Sequence, residues 1–248
     1  MSLESTYGWS LHNETAVSSV AGFSRGRIHT LQDLLRYVQA LGLEQINNAR
    51  LGRVRKLGHG ASFDVEEYHD TQIGKGVAVK RIKLPNSSTS FKAFQERVTC
   101  VLRDIDVMHH KPIAAHENVL GLLGYGWGTN KGDIIPYIVT ELAEQRSLRE
   151  YLRLNSASFG LMQNVCGGIF GGLYELHLCG IAHGDLKLEN VLVVEPAPGK
   201  IIVKIVSISV ATVDSKEHEL TALAEVRLWA LFHSCIRRYL HCVQLSRN

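Results

Sequence analysis

The sequence predicts an α+β fold, because it contains both strand-like segments and amphipathic helical segments. Short β-prone runs occur at residues 77–79, 134–139 and 191–194. Apolar residues recur at steps of three and four over residues 89–110 and again over 161–176, which is typical of helices with one buried face. Both kinds of element are therefore expected around shared hydrophobic cores.

The overall composition is that of a globular domain. The chain has 248 residues, of which 45% are hydrophobic and 21% charged, with a net charge of +3. This length allows one sizeable core or two small ones. A charge so near neutral gives no sign of nucleic-acid binding. No apolar run reaches membrane-spanning length and residues 1–10 are too polar for a signal peptide, so we expect no membrane partner. The five cysteines are scattered without metal or redox spacing, so we expect them to be reduced and the chain to be intracellular, in the cytoplasm.

Residues 1–49 are predicted to form an N-terminal extension with one helix. Residues 1–28 are rich in Ser, Gly and polar residues. Thr30 is a suitable N-cap with acidic Asp33 three positions later, and Gly42 is a suitable stop. The apolar stripe of this helix either packs on the following domain or binds a partner, and packing is the expectation.

The stretch 183–190 carries the most chemical information. Asp185, Lys187 and Asn190 share one loop between a helical run and a β-prone run. The Asp is suited to orient a hydroxyl and accept its proton, the Lys to neutralise phosphate charge, and the Asn to bind a metal ion. This stretch resembles the catalytic loop of eukaryotic protein kinases, with Gly184 where most members carry Arg.

Upstream, a glycine pair resembles the kinase loop that covers the nucleotide phosphates. Gly58 and Gly60 lie in a hairpin context, and glycine permits close backbone approach to phosphate. The third glycine of the family pattern is Phe63 here. A Gly-x-Gly pair by itself is usually an ordinary turn, so the order of the surrounding motifs supports the interpretation. The resemblance also implies that Val65, in the next strand, contacts the nucleotide.

Lys80 ends a run, Val77-Ala78-Val79-Lys80, that resembles the kinase strand whose lysine binds the α- and β-phosphates. A solvated edge-strand lysine is the commoner case elsewhere. The resemblance implies a carboxylate partner on the following helix, and Asp104 fits the apolar face best, with Glu96 ranked lower. Because Asp is one methylene shorter than the family's Glu, a stretched or water-bridged pair is expected. Ala78 would line the nucleotide site.

Residues 134–143 resemble the strand that leads into the hinge between the two kinase lobes. The resemblance implies that Thr140 is the gatekeeper beside the adenine pocket, and that the backbones of Glu141 and Ala143 bind the adenine edge. Leu192, after the catalytic loop, would contact the nucleotide from the other lobe. The small Thr140 side chain predicts an accessible back pocket.

The resemblance weakens after the hairpin that follows the catalytic loop. We expect strands at residues 191–194 and 201–206, joined by a turn at 196–199. Ser207 then stands where kinases carry the Asp that binds Mg²⁺, and a neutral hydroxyl is a weaker ligand for a hard dication. An apolar face over residues 225–245 predicts a further helix, packed on the domain or, because of its arginines, lying on a membrane surface; packing is the expectation.

The motifs cover about residues 50–206 and imply a protein-kinase-like two-lobed α+β fold. We divide the chain into the extension at 1–49, a complete small lobe with the hinge at 50–143, and a truncated large lobe with a divergent tail at 144–248. Inside the large lobe, the paired glycines of residues 167–172 weaken the predicted helix, and close packing against a neighbour is one use for them.

The function implied is ATP-dependent phosphorylation of protein hydroxyls. The Lys spacing after Asp185 is typical of the Ser/Thr group. The expected ligands are ATP and Mg²⁺, with weak or absent metal dependence, and a protein substrate or partner. Ser207 predicts impaired activity. Two alternatives stay open. The chain is a pseudokinase that binds nucleotide or acts as a scaffold, or it is an active kinase whose gene model is incorrect after about Val206.

Overall fold

The computed structural model describes residues 30–59, 63–83, 98, 101–102, 104–130 and 133–206. Backbone contacts divide the chain into one compact unit of residues 1–43 and a second of residues 44–248. Gly60, Glu96, Ser207 and the predicted helix at 225–245 lie outside the described residues, so the expectations for them stay predictions.

The first unit contains the helix α1, Leu31–Ala40. The Thr30 hydroxyl accepts a hydrogen bond from the Asp33 N–H (3.1 Å), and the Asp33 carboxylate accepts one from the Thr30 N–H (3.0 Å). These reciprocal bonds satisfy backbone donors that the first helical turn leaves open. After the helix, Gly42 has φ +71°, a conformation that favours glycine. The predicted cap and stop are both confirmed.

The small lobe is built on a five-stranded antiparallel sheet. Its order is β1-β2-β3-β5-β4, so β5 inserts between β3 and β4. One face carries a core formed by apolar side chains of four strands and by Ile46. The strands are β1 (Leu51–His59), β2 (Phe63–Asp70), β3 (Lys75–Ile82), β4 (Leu122–Asn130) and β5 (Asp133–Glu141).

The segment before β1 is joined to this sheet. The Ile46 N–H donates to the Tyr125 carbonyl (2.7 Å), and the Tyr125 N–H donates to the Glu44 carbonyl (2.9 Å). The Tyr137 hydroxyl donates to the Ile46 carbonyl (2.8 Å). The predicted domain boundary at residue 49 therefore falls just after a segment that already pairs with the sheet.

The helix predicted over residues 89–110 is helical wherever the structure describes it. Residues 98, 101–102 and 104–109 are helical, and we call the continuous segment 104–109 α2. The apolar positions that gave the periodicity, Val98, Val101, Ile105 and Met108, are buried. A short helix α3, Lys111–Ala114, follows with Pro112 in its first turn, where the missing proline N–H costs no intrahelical bond.

The large lobe contains two helices and a β-hairpin. The helices are α4 (Leu148–Leu154) and α5 (Phe159–Leu178), and the strands are β6 (Val191–Ala197) and β7 (Lys200–Ile205). Strand β6 runs three residues beyond the prediction, so the expected turn at 196–199 shrinks to Pro198-Gly199. Gly199 takes φ +78°, which allows so tight a reversal, and its N–H donates to the Glu195 carboxylate (2.8 Å).

Helix α5 packs on β7 through two of its glycines. A Cβ on Gly168 would lie 2.6 Å from Val203 Cγ2, and one on Gly172 would lie 2.8 Å from Ile205 Cδ1. These approaches leave no room for a side chain, which gives the helix-weakening glycines a packing function. Beneath them, α5, β6 and β7 share one core, which includes Ile169, Val193 and Ile205.

The described elements confirm the α+β class and the predicted kinase-like architecture. An antiparallel sheet forms the small lobe, and helices with a separate hairpin form the described part of the large lobe. No helix in the described ranges is long and apolar enough to cross a membrane.

Candidate functional site

The loop between α5 and β6 is anchored by a buried histidine. His183 is fully buried, and its Nε2 lies 3.0 Å from the Val206 carbonyl oxygen, one residue after β7. Its Nδ1 accepts a hydrogen bond from the Asp185 N–H (3.3 Å). A ring that donates from Nε2 and accepts at Nδ1 is the neutral tautomer. His183 therefore holds the loop backbone against β7 and fixes where Asp185 projects.

Asp185, Lys187 and Asn190 converge on this loop. Lys187 Nζ lies 2.6 Å from Asp185 Oδ2, and Asn190 Nδ2 donates to the same oxygen (3.0 Å) and to the Asp185 carbonyl (2.7 Å). Asp185 and Lys187 are about half exposed, at 48% and 51% of their side chains. The hydrogen bond from Lys187 is the main cause that lowers the pKa of Asp185, so the carboxylate is ionised at neutral pH.

Gly184, between His183 and Asp185, has φ +77°. This left-handed conformation is unfavourable for residues with a Cβ, at roughly 1–2 kcal/mol. The glycine therefore relieves backbone strain at the position where the family pattern has Arg.

A second charged pair lies in the small lobe. Lys80 Nζ on β3 is 2.9 Å from Asp104 Oδ2 in α2, and both side chains are 12% exposed. The expectation of a stretched or water-bridged pair is wrong, because α2 approaches β3 closely enough for the shorter carboxylate to reach. Sequence reasoning missed a third member: the Phe63 ring lies over the ammonium, with 4.9 Å from Lys80 Nζ to the ring centroid.

Strand register brings the residues predicted to bind nucleotide onto neighbouring strands. Gly58 on β1 is paired with Val65 on β2, which is paired with Lys80 on β3. Two residues before Lys80 on β3, Ala78 is paired with Thr140 on β5. Hairpin register thus places these residues side by side, although they are distant in the chain.

The chain that leaves the hinge is bonded to β6 of the large lobe. The Ala143 carbonyl accepts a hydrogen bond from the Arg146 N–H (3.1 Å), and the Arg146 carbonyl accepts one from the Val193 N–H (2.8 Å). Leu192, half-buried on β6, forms a bridge with Ser147. The structure thus places Leu192 beside the chain that leaves the hinge.

Thr140 is fully buried, and its hydroxyl has no hydrogen-bond partner within the described ranges. An unpaired buried hydroxyl costs free energy, at about 1–3 kcal/mol. Such an atom is available to a polar group of a ligand that enters beside β5.

The Glu141 side chain makes contacts that the sequence did not predict. Its Oε1 accepts a hydrogen bond from the Gly121 N–H (2.5 Å) and lies 2.8 Å from Lys204 Nζ on β7. Only the backbone of Glu141 was expected to matter. The available signal was weak: Lys204 is the one charged residue inside the apolar run 201–206.

A family comparison agrees with this arrangement. The family described as "Protein kinase domain" matches residues 51–229. The chain belongs to the protein kinase family. The match runs beyond Val206, where the recognisable motifs of this kinase chain end, so the similarity extends further than the predicted 50–206.

Two of the three relatives described next are named as serine/threonine-protein kinases. The chain is 28% identical over 169 residues to the serine/threonine-protein kinase pakA of Talaromyces marneffei. The aligned region covers 68% of this chain and 24% of that relative. It is 31% identical over 137 residues to the serine/threonine-protein kinase STE20 of Candida glabrata, 55% of the chain and 13% of the relative. The activin receptor type-1C of Homo sapiens is 29% identical over 179 residues, 66% of the chain and 34% of the relative. The chain thus spans about a third or less of the length of these relatives.

Proposed function

We propose that this kinase-family chain binds ATP between its two lobes and transfers the terminal phosphoryl group to Ser or Thr hydroxyls of a protein, at a reduced rate. The observation that carries the proposal is the convergence of Asp185, Lys187 and Asn190 on one anchored loop. The relatives named as serine/threonine-protein kinases support the substrate class. An intracellular location belongs to the same proposal, because ATP is an intracellular metabolite.

The nucleotide would be held mainly by the small lobe and hinge. Lys80, fixed by Asp104, would bind the phosphates. The backbones of Glu141 and Ala143 would bind the adenine edge, and the buried Thr140 hydroxyl is suited to pair with a polar group there. The side chains of Val65, Ala78 and Leu192 would form apolar walls of the same site.

In the transfer step, the substrate hydroxyl oxygen attacks the terminal phosphorus while the bond to the ADP oxygen breaks. Asp185 orients the hydroxyl and accepts its proton, because its lowered pKa keeps it ionised. Lys187, next to that carboxylate, neutralises charge on the transferring group. From one loop, Asp185 therefore acts on the attacking hydroxyl and Lys187 on the phosphoryl group that is transferred.

The described residues offer few ligands of their own for a metal ion. Within the described part of the chain no cluster of three or more His, Cys, Asp or Glu side chains has metal-binding geometry. Asn190 directs its amide nitrogen at Asp185, which leaves one neutral amide oxygen as a ligand. Weak Mg²⁺ dependence is accordingly part of the proposal, and no step is assigned to the metal.

The second candidate is a pseudokinase that binds nucleotide or acts as a scaffold. Ser207, in the position of the family's metal-binding Asp, favours it. A radiolabelled phosphotransfer assay on a mixture of generic protein substrates separates the two. Slow transfer that Asp185→Asn abolishes supports the enzyme. No transfer, combined with ATP-induced thermal stabilisation that Lys80→Met removes and Lys75→Met retains, supports the nucleotide-binding pseudokinase.

A further inference from the structure

An open groove lies on the large lobe, apart from the proposed ATP site. Its volume is about 780 Å³, and none of the residues predicted to bind nucleotide or to act in catalysis lines it. One wall is the first half of α5, with Gln163, Asn164 and Gly167, and the other wall is the start of β7, residues 200–203. Glu117 and Asn118, from the loop between α3 and β4, also line the groove.

The β7 wall is a strand edge that already pairs with a backbone. The Ile205 N–H donates to the Asn118 carbonyl (2.8 Å), and the Ile205 carbonyl accepts from the Leu120 N–H (3.1 Å), on the edge opposite β6. Two residues earlier, the Val203 carbonyl accepts from Asn118 Nδ2 (2.9 Å), where a side-chain amide takes the place of a backbone donor. Because strand residues alternate, Ile201 directs its N–H and carbonyl to this same edge, beside the groove.

The α5 wall leaves room along that edge. Gly167 is exposed, and a Cβ added to it would meet no atom within 4 Å. Its neighbour Gly168 instead packs tightly on Val203. Two consecutive glycines thus have different functions: one holds the helix against the sheet, and the other keeps the groove open. The exposed amides of Gln163 and Asn164 border this space.

Two residues that line the groove carry opposite charges. Lys200 and Glu117 both line it, and both are exposed. Neither forms an ion pair with any residue in the described ranges. A ligand with a negative group near Lys200 and a positive group near Glu117 would complement them.

We propose that this groove binds an extended segment of a partner protein, which adds to the edge of β7 at Ile201. Backbone hydrogen bonds to Ile201 would supply affinity, as in other cases of strand addition. The segment would carry an acidic side chain toward Lys200 and a basic side chain toward Glu117, with a small residue over Gly167. Residues 200–203 offer room for about three or four paired residues, or roughly 10 Å of strand.

The test uses the full chain and a displayed library of linear peptides of random sequence. Gly167→Trp fills the groove, and Gly160→Trp is the matched control, because Gly160 is also exposed on α5, meets no atom within 4 Å and does not line the groove. Thermal unfolding verifies that both variants fold. We expect enriched peptides whose affinity falls at least tenfold in Gly167→Trp and is retained in Gly160→Trp.

A charge test and an exchange measurement complete the experiment. Lys200→Glu should weaken the enriched acidic peptides several-fold, and bound peptide should slow hydrogen exchange at the Ile201 amide. The proposal is overturned if no peptide is enriched, or if enriched peptides bind Gly167→Trp as tightly as the wild type. A concentration-dependent dimer in sedimentation that Gly167→Trp abolishes would also overturn it, since a second copy would then occupy the groove.

Discussion

Glu141 at the hinge is tied to Lys204 on β7 by an ion pair of 2.8 Å, and the same carboxylate oxygen accepts the Gly121 N–H. The Lys204 side chain is only 12% exposed and that of Glu141 is 30% exposed. One side chain thereby connects the strand leading into the hinge, the loop before β4 and the hairpin of the large lobe.

Removal of this tie should lower stability. We expect Lys204→Met to reduce the free energy of unfolding by roughly 1 kcal/mol, because a partly buried carboxylate loses its charged partner. Lys200→Met, at an exposed position of the same strand, should change it by less than about 0.5 kcal/mol. Urea denaturation measures both, and equal losses in the two variants would show that the tie contributes nothing.

Phe63 should weaken nucleotide binding, because its ring covers the Lys80 ammonium that the phosphates would approach. We expect Phe63→Gly to increase ATP affinity about three- to tenfold, which corresponds to the loss of one cation–π contact of about 0.5–1.5 kcal/mol. Phe63→Tyr keeps the ring and should bind like the wild type. Calorimetric titration with ATP decides the matter, and unchanged or weaker binding by Phe63→Gly would contradict the argument.

The local elements were predictable because their signals are local. The Thr30 cap and the periodicity of α2 and α5 depend on neighbouring residues, and the structure has them. The contacts of Glu141 with Lys204 and of Phe63 with Lys80 were not predictable, because the fold brings together residues that carry no shared motif. The Lys80–Asp104 distance was predicted wrongly for a related reason. The length of the aspartate side chain is known from the sequence, but the distance between α2 and β3 that it must span depends on the fold.

Gly184 should resist replacement by the family's arginine. With φ at +77°, Gly184→Arg should lose roughly 1–2 kcal/mol of stability, because a Cβ is strained there. Gly184→Asn is the control, since Asn tolerates this conformation better than most residues. Thermal unfolding should rank wild type above Asn and Asn above Arg. An Arg variant as stable as the wild type would mean that the loop changes its backbone conformation.

The pKa of Asp185 should depend on Lys187. The carboxyl has a lowered pKa in the folded chain, so its contribution to stability is present above its unfolded pKa and is lost as the pH falls through the folded pKa. Lys187→Met should raise the pKa of Asp185 toward its usual range and move the acidic limb of its titration to higher pH. Carboxyl NMR titration measures this shift directly.

A reciprocal control lies on the same loop. The Arg149 guanidinium contacts the Glu189 carboxylate and is the main cause of the lowered pKa of Glu189. Arg149→Met should therefore raise the pKa of Glu189 and leave that of Asp185 unchanged. Lys187→Met should also raise the pKa of Glu189, because the charge of Lys187 is a lesser cause of its lowering. If Arg149→Met shifts the pKa of Asp185, the loop has rearranged and the assignment of that pKa to the Lys187 contact is wrong.

Restoration of a carboxylate at Ser207 should make nucleotide binding depend on Mg²⁺. The prediction comes from the sequence position, where a charged oxygen ligand would join the amide oxygen of Asn190. Ser207→Asp should bind ATP several-fold more tightly with Mg²⁺ than without it, whereas Ser207→Asn, with similar shape and no charge, should show little difference.

Phosphotransfer by Ser207→Asp should stay slow while Phe63 covers Lys80, and the double variant with Phe63→Gly should transfer phosphate faster than either single variant. The two substitutions act on different charges of the same phosphate chain, so a double variant no faster than Ser207→Asp would show that access to Lys80 does not limit the reaction.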